Sequence, residues 1–203
     1  MRPLAAKCRF YLMEPLSTDT TNSNAFVSIL KKSAKFLLTE KAAFYVVVFA
    51  NVYMILSWKF FMTLDGPLHF YNANIIKHLW LGDFPEASNR YKFNEIPVPN
   101  WAGHFILAFL QLIFKGEVAE KIFYSSLFFF FPVSFRYLIR SIRPDNTQLS
   151  FLIFPFIFSG IFYMGFFNLS IALIFMFFCI GFWWRNSNGL DFKKTLLLSI
   201  LIL

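Results

Sequence analysis

Three polar side chains near residue 65 have the types and the spacing of an acid–base site. The segment TLDGPLHFYNANIIKHLW contains Pro67, which is tolerated in the first turn of a helix, so it predicts a helix over residues 66–80. In such a helix Asp65, His69 and Asn72 lie at positions i, i+4 and i+7 and share one face. An acid, an imidazole and an amide together can act as a general base or bind a metal ion. The structural alternative is that Asp65 caps the helix and His69 lies at an interface.

Two further ionisable residues could take part in such chemistry. His104 lies a few residues inside the apolar block PNWAGHFILAFLQLIF. An ionisable group within a membrane segment is a functional hypothesis by default, although a group near the interface can simply be hydrated. Glu95 can approach Asp65 if the intervening loop folds back, but no spacing requires it.

The apolar composition predicts the elements that position these residues. The chain of 203 residues is 58% hydrophobic and 15% charged, whereas soluble domains carry roughly 25% charged residues. Its apolar runs, such as LFFFFPVSF and FLIFPFIFSGIFYMGFF, lack the alternation of a membrane β-barrel. Runs of about 20 apolar residues cross the roughly 30 Å hydrocarbon core as helices. The sequence therefore predicts an all-α, polytopic transmembrane helical bundle.

Hydrophobic runs divide the chain into a tail, residues 1–40, and a transmembrane domain, residues 41–203. A polar segment, residues 63–98, is predicted to be a long external loop with interfacial helices. The block over residues 149–184 has 36 residues, enough for two crossings with a break near 165–168. The predicted crossings are about 42–62, 99–114, 122–140, 149–165 and 168–184, and another begins at 195.

Basic residues near the start of the chain predict its orientation. Residues 26–40 carry apolar side chains at helical spacing around Lys31, Lys32 and Lys35, which is typical of a basic amphipathic helix on the cytoplasmic face. No apolar stretch with a following cleavage site opens the chain, so a cleavable signal peptide is not predicted. Because Lys and Arg next to membrane segments favour the cytoplasm, we expect a cytoplasmic N-terminus and a plasma (inner) membrane location.

The later basic clusters conflict with this simple topology. Two clusters follow the loop: Arg136, Arg140 and Arg143, then Arg185, Lys193 and Lys194. If both clusters are cytoplasmic, only one crossing should separate residue 101 from Arg136, yet two apolar blocks lie between them. Either one block is re-entrant or the first arginine cluster lies outside, and the sequence leaves both open.

Composition and motifs exclude several classes of protein. The net charge of +8 comes from basic residues beside apolar runs, which indicates contact with membrane lipids and not with nucleic acid. Cys8 and Cys179 lack the spacing of a disulfide or zinc framework. There is no Walker loop, dinucleotide fingerprint, HExxH or Gly-x-Ser-x-Gly motif, so nothing supports an ATPase, a redox enzyme, a zinc protease or a serine hydrolase.

Residues 40–185 resemble the GT-C class of membrane glycosyltransferases. This class includes protein O-mannosyltransferases, aminoarabinose transferases and bacterial membrane proteins with a DGPxHxYNA-type first loop. Its members have a first span, a long external loop that opens on an acidic residue, interfacial helices in that loop and many later spans. The matching residues are Asp65-Gly66-Pro67, His69, Tyr71-Asn72-Ala73, Pro99-Asn100-Trp101 with His104, and Gly165-Phe166-Phe167-Asn168.

The resemblance implies transfer of a sugar from a polyprenyl-phosphate donor. Asp65 matches the acid that acts in the class as general base or metal ligand, and we expect His69 to be catalytic with it. Asn72 and His104 are expected to bind substrate. Gly66 stands where mannosyltransferase-type members carry the second acid of an Asp-Glu pair.

The same resemblance implies a phosphate-binding group. Arg136 and Arg140 lie at i and i+4 on one helix face and would bind the donor phosphate, because a guanidinium binds phosphate bidentately. The alternative is that they are cytoplasmic arginines at a helix end. The cofactor requirement stays open, with a divalent cation as the candidate and no metal-ligand set assigned. The expected partners are membrane lipids and a polyprenyl-phosphate sugar.

A non-enzymatic transporter or scaffold is the rival prediction. A transporter is expected to show internal repeats with paired broken helices near the middle of the membrane. The block over 149–184 contains one break, and no counterpart is evident elsewhere in the sequence. The last apolar run, 195–203, is too short to cross, so we expect this chain to be the N-terminal portion of a longer protein.

Overall fold

The computed structural model describes residues 39–59, 61–94 and 99–202, and within these ranges every regular element is helical. The all-α prediction is therefore confirmed for this part of the chain. Glu40–Leu203 form one compact unit. The amphipathic helix expected over 26–40 and the position of Glu95 lie outside the described residues.

In the described part of the chain four segments are long and apolar enough to cross a membrane, so the chain is a multi-pass α-helical membrane protein. They are α1 (Glu40–Ser57), α5 (Gly116–Ile142), the broken segment Pro144–Met164, and α8 (Phe167–Asn186). The broken segment contains a 3₁₀ helix (Pro144–Ile153), α6 (Phe154–Ile157) and α7 (Gly160–Met164). The other helices are α2 (Gly66–Leu81), α3 (Pro85–Arg90), α4 (Ala102–Ile113) and α9 (Phe192–Ile202).

Aromatic side chains fill the core between the crossings. Phe128 of α5 and Phe162 of α7 meet edge to face with ring centroids 4.6 Å apart, and Phe123 meets Phe167 in the same way at 5.5 Å. All four rings are buried. Such offset and T-shaped contacts are the arrangement that aromatic quadrupoles favour. The abundant Phe residues of the sequence thus hold α5, α7 and α8 together.

The outer faces of the crossings remain apolar. Leu152 and Phe156 are 63% and 62% exposed although they belong to a crossing, and Phe49 of α1 is 58% exposed. Water would disfavour exposed apolar surface on this scale, whereas lipid tails solvate it without cost. These faces therefore fit a hydrocarbon surrounding.

Two side-chain contacts show that α1 and α5 run antiparallel. Arg136, late in α5, binds Glu40 at the start of α1, and Lys121, early in α5, donates to the carbonyl of Leu56 at 3.2 Å. The 15 residues from Lys121 to Arg136 rise about 22 Å along the helix. We call the end that contains Glu40 and Arg136 the basic end, and the opposite end, with α2 to α4, the loop end.

Helix α4 is apolar but shorter than the four segments that are long enough to cross. Its 12 residues rise about 18 Å, less than the roughly 30 Å hydrocarbon core. At its start the Gly103 amide donates to Asn168 Oδ1 at 2.7 Å, and after its end Gly116 lies against the ring of Phe70. Both contacts are at the loop end, which favours an α4 that enters and leaves on one side. The crossing that the sequence placed at 99–114 stays a prediction, and a helix of this length is short for it.

The basic clusters of the sequence meet at one end of the bundle. The first cluster lies at the same end as Glu40, because Arg136 binds that carboxylate. The second cluster joins it, because the Arg185 guanidinium lies 5.6 Å from the ring centroid of Tyr137. Both clusters therefore flank one end of the bundle.

A buried ion pair ties three segments together at the basic end. Arg136 is 6% exposed, and its Nη2 donates to Glu40 Oε2 at 2.7 Å. Its Nη1 also donates to Ser150 Oγ at 2.9 Å, and Thr147 donates to Glu40 Oε2 at 3.1 Å. The guanidinium lies 4.4 Å from the ring centroid of Phe44. The donors of Arg136, a predicted phosphate ligand, are thus engaged by the protein itself.

We predict that Arg136→Gln destabilises the fold by about 1–3 kcal/mol, because it leaves a carboxylate without its charged partner. The melting temperature of the detergent-solubilised protein measures the effect. Arg140→Gln is the matched control, since Arg140 is exposed on the same helix. Equal losses in both variants would contradict a specific role for the ion pair.

We also predict that α4 returns to the side from which it enters. Single cysteines at Ser88 and Lys115 should react with a membrane-impermeant maleimide from one side of closed vesicles, and those at Asn146 and Ser187 from the other. The background carries Cys8→Ser and Cys179→Ser. Labelling of positions 88 and 115 from opposite sides would show that α4 crosses.

Candidate functional site

Backbone hydrogen bonds fix the segment that contains Asp65. The Leu64 amide donates to the Tyr163 carbonyl at 2.9 Å, and the Asp65 amide donates to the Met164 carbonyl at 3.2 Å. Gly165 follows with φ of 86°, a left-handed conformation that favours glycine. A Cβ on Gly165 would lie 2.9 Å from the Cβ of Asp65, so a larger residue would push the acid away. Asp65 is therefore positioned by the turn between two crossings.

The side chain of Asp65 is not used to cap α2. The helix begins at Gly66 with Pro67 in its first turn, and the Asp65 side chain forms no capping hydrogen bond. Asp65 is half-buried at the loop end. The structural alternative, in which this carboxylate caps the helix, therefore does not apply to the geometry observed.

His69 and His104 form a hydrogen-bonded pair although 35 residues separate them. His69 Nδ1 lies 2.9 Å from His104 Nε2, and the ring centroids are 4.7 Å apart. His69 belongs to the first turn of α2 and His104 to the first turn of α4. The ring of Phe167, at the start of α8, packs 5.0 Å from His69. Three elements thus meet at one polar contact.

Backbone carbonyls lie beside both rings of this pair. His104 Nδ1 lies 3.2 Å from the Asn100 carbonyl, which can only accept. His69 forms a hydrogen bond with the Gly165 backbone, which favours a proton on that ring. Either ring can donate in the contact between His69 Nδ1 and His104 Nε2, since the direction depends on the tautomer.

Asn168 holds the start of α4 against α8. Its Oδ1 accepts from the Gly103 amide at 2.7 Å, and its Nδ2 donates to the Asn100 carbonyl at 2.7 Å. Asn100 itself has φ of 71°, a left-handed conformation that asparagine tolerates better than most residues. Asn168 thereby positions the carbonyl that faces His104 Nδ1.

Burial keeps both imidazoles neutral near neutral pH. Burial lowers the pKa of His69 below its ordinary value of 6.5, while the Gly165 backbone and the charge of Asp65 act in the opposite direction. Burial also lowers the pKa of His104, with a further lowering from His69, against the Asn100 carbonyl. A neutral imidazole beside a carboxylate is the state that a proton acceptor requires.

The remaining predicted site residues fall into two groups. Asn72 is half-buried on α2, one turn after His69, close to the pair. Arg136 is held by Glu40, and Arg140 is exposed one turn further along α5. The structure brings Asp65, His69 and His104 to one place, and the two arginines lie at the opposite end of the bundle.

Sequence reasoning missed a polar cluster next to this site. The Tyr124 hydroxyl donates to Glu120 Oε1 at 2.8 Å, and Thr63 lies beside the same tyrosine at the start of α2. The sequence signal was Glu120 and Tyr124 at i and i+4, but the predicted crossing began at 122 and left the acid in a loop. Because α5 begins at Gly116, Glu120 belongs to its second turn.

The described residues offer little for a metal ion. Within 39–59, 61–94 and 99–202 no group of three or more His, Cys, Asp or Glu residues could hold one. The facing nitrogens of His69 and His104 bond to each other, so these two lone pairs do not converge on a common point. The arrangement fits proton transfer better than metal binding.

Comparison with known proteins gives no relative: no family model, curated protein or solved structure matches the chain. The geometry of Asp65, His69 and His104 is therefore the basis on which a function is proposed. That geometry joins a carboxylate to a neutral imidazole pair at one end of a membrane bundle.

The lowered pKa of the histidines predicts a pH-dependent stability. As the pH falls below 6.5, the unfolded chain binds more protons than the folded protein, so the free energy of unfolding decreases. The melting temperature should therefore be highest at about pH 7.5 and fall through about pH 6 and 5. His69→Gln and His104→Gln should flatten this decline, and His78→Gln, outside the pair, should retain it. A wild-type melting temperature that rises on acidification would contradict the prediction.

Proposed function

We propose that the chain acts as a membrane glycosyltransferase of the GT-C kind, which moves a sugar from a polyprenyl-phosphate donor to an acceptor hydroxyl. The observation that carries the proposal is the meeting of Asp65, His69 and His104 at the loop end. Their chemistry is that of a general base, and the surrounding crossings give access to a lipid-linked donor. The resemblance in the DGPxHxYNA segment supports the same reaction.

In the proposed reaction the acceptor hydroxyl donates a hydrogen bond to Asp65. Its oxygen forms a bond to the anomeric carbon while the bond between that carbon and the donor phosphate oxygen breaks. The proton leaves the hydroxyl for the carboxylate of Asp65. Neutral His69 can take the proton onward: burial lowers the pKa of this imidazole, and the Gly165 backbone and the charge of Asp65 act against that lowering. Polyprenyl phosphate departs with the electron pair.

The donor phosphate needs a cation at the loop end. Arg136 and Arg140 lie at the opposite, basic end of the bundle. We therefore assign binding of the donor phosphate to lysines near the start of α5. Lys115 directly precedes α5 and is exposed, and Lys121 lies on its second turn. An ammonium group stabilises a departing phosphate as a point charge.

The distribution of charge supports an outward-facing site. Arg140, Arg143, Arg185, Lys193 and Lys194 belong to the basic end, which also contains the start of α1. Positive residues next to membrane segments favour the cytoplasm, which gives a cytoplasmic N-terminus and an extracytoplasmic loop end. The proposed location is the plasma (inner) membrane, with Asp65 reached from outside.

A transporter remains the second candidate because one crossing is broken. Segment Pro144–Met164 changes from a 3₁₀ helix to two short α-helices, as discontinuous transporter helices do. Transporters of that kind carry a second broken helix, whereas α1, α5 and α8 are continuous. The broken helix also has another explanation here, since its end positions Asp65.

We predict that Asp65→Asn lowers sugar transfer by about 10²- to 10⁴-fold, because the amide cannot accept the proton. Membranes that contain the chain would be supplied with a panel of radiolabelled polyprenyl-phosphate sugars, and labelled product would be counted. Asp83→Asn is the matched control, since Asp83 is exposed in the same loop and pairs with His78 at 2.7 Å. Undiminished transfer by Asp65→Asn at equal expression would refute the role of Asp65.

A further inference from the structure

We infer that a cavity beside the start of α2 is a binding site for an organic ammonium group. The cavity has a volume of about 310 Å³ and lies at the loop end. Its lining combines aromatic and aliphatic side chains with one hydroxyl and one carboxylate: Phe61, Met62, Thr63, Pro67, Phe70 and Glu120. The inference is independent of the transferase proposal, because it uses neither Asp65 nor the histidine pair.

Glu120 supplies the charge of this site. Its Oε1 accepts the hydrogen of the Tyr124 hydroxyl at 2.8 Å, which fixes the carboxylate against α5. The described residues offer its other oxygen no hydrogen bond, and the carboxylate is half-buried in the cavity wall. A ligand in the cavity can therefore donate to an oriented, accessible acceptor.

Thr63 adds a hydroxyl to the same wall. It is 6% exposed, and in the part of the chain that the structure describes its Oγ1 has no hydrogen bond of ordinary geometry. Gly66 permits this arrangement, because a Cβ there would lie 2.4 Å from Thr63 Oγ1 and 2.8 Å from the Tyr124 hydroxyl oxygen. The Thr63 hydroxyl lies beside that of Tyr124 and can also donate to or accept from a ligand in the cavity.

The carboxylate of Glu120 favours a cation as that ligand. Glu117 lies one turn earlier on α5, Lys115 precedes the helix, and the ammonium of Lys121 donates to the Leu56 carbonyl. Among the described residues no cation pairs with Glu120. A neutral ligand would leave this half-buried charge uncompensated, whereas a cation neutralises it.

The lining distinguishes an organic ammonium from a metal ion. Hard divalent cations take six or more oxygen ligands, and this cavity offers one carboxylate and one threonine hydroxyl. The rings of Phe61 and Phe70 suit the apolar, weakly hydrated surface of an alkylated ammonium. The ammonium can belong to a lipid headgroup or to a free amine. Met62, 78% exposed at the rim, opens the cavity toward the membrane interface.

A calorimetric titration of the full chain tests the charge requirement. The protein in phosphatidylglycerol nanodiscs is titrated with choline and with its neutral isostere 3,3-dimethylbutan-1-ol. We expect choline to bind about tenfold more tightly than the isostere, as a cation–π contact with a carboxylate implies. Glu120→Gln should abolish this preference, and Glu117→Gln, on the same helix, should keep it. Equal binding of both compounds, or a preference that survives Glu120→Gln, overturns the inference.

Two further measurements complete the test. Native mass spectrometry of protein from mixed phosphatidylcholine and phosphatidylglycerol nanodiscs shows whether retained phosphatidylcholine depends on Glu120, which identifies a lipid headgroup as the source. Choline binding without such retention identifies a free amine instead. If Glu120→Gln does not fold, Phe70→Leu replaces it and should weaken binding of choline but not of the isostere. If the wild type neither binds choline nor retains phosphatidylcholine, the site is refuted.

Discussion

The absence of water in the hydrocarbon core is the constraint on which this structure depends. Each backbone donor and acceptor there must bond within the protein, which makes α1, α5 and α8 continuous helices. The broken crossing meets the same requirement differently. The carbonyls of Tyr163 and Met164, at the end of α7, accept from the amides of Leu64 and Asp65. The need to satisfy these carbonyls thus brings the acid to its place.

Much of this architecture could be predicted from the sequence, because apolar runs and helical spacing are local signals. The helix that follows Asp65 and the reversal at Gly165 lie where the pattern placed them. The pairing of His69 with His104 could not be predicted, since it depends on how α2 packs against α4. The sequence indicated only that His69 shares a helix face with Asp65 and that His104 lies inside an apolar block.

The differences from the sequence-based expectations share one cause. Hydropathy reports that a segment is apolar, but it does not report whether the segment crosses the membrane or returns. The block over 99–114 was apolar enough to suggest a crossing, and its helix is only 12 residues long. Likewise, the resemblance and the spacing from Arg140 suggested phosphate binding for Arg136, whereas a distant residue, Glu40, pairs with its guanidinium. Long-range partners of this kind leave no trace in local spacing.

The backbone pairing of Leu64 and Asp65 with the end of α7 has a mechanical consequence. The acid is attached to the tip of a crossing, so its depth follows that crossing. Helices adjust to bilayer thickness by tilting or shifting, and a thicker or thinner lipid layer would move the tip of Pro144–Met164 along the membrane normal. Acyl-chain length therefore sets the distance between the Asp65 carboxylate and the water, and a change in lipid composition changes that distance.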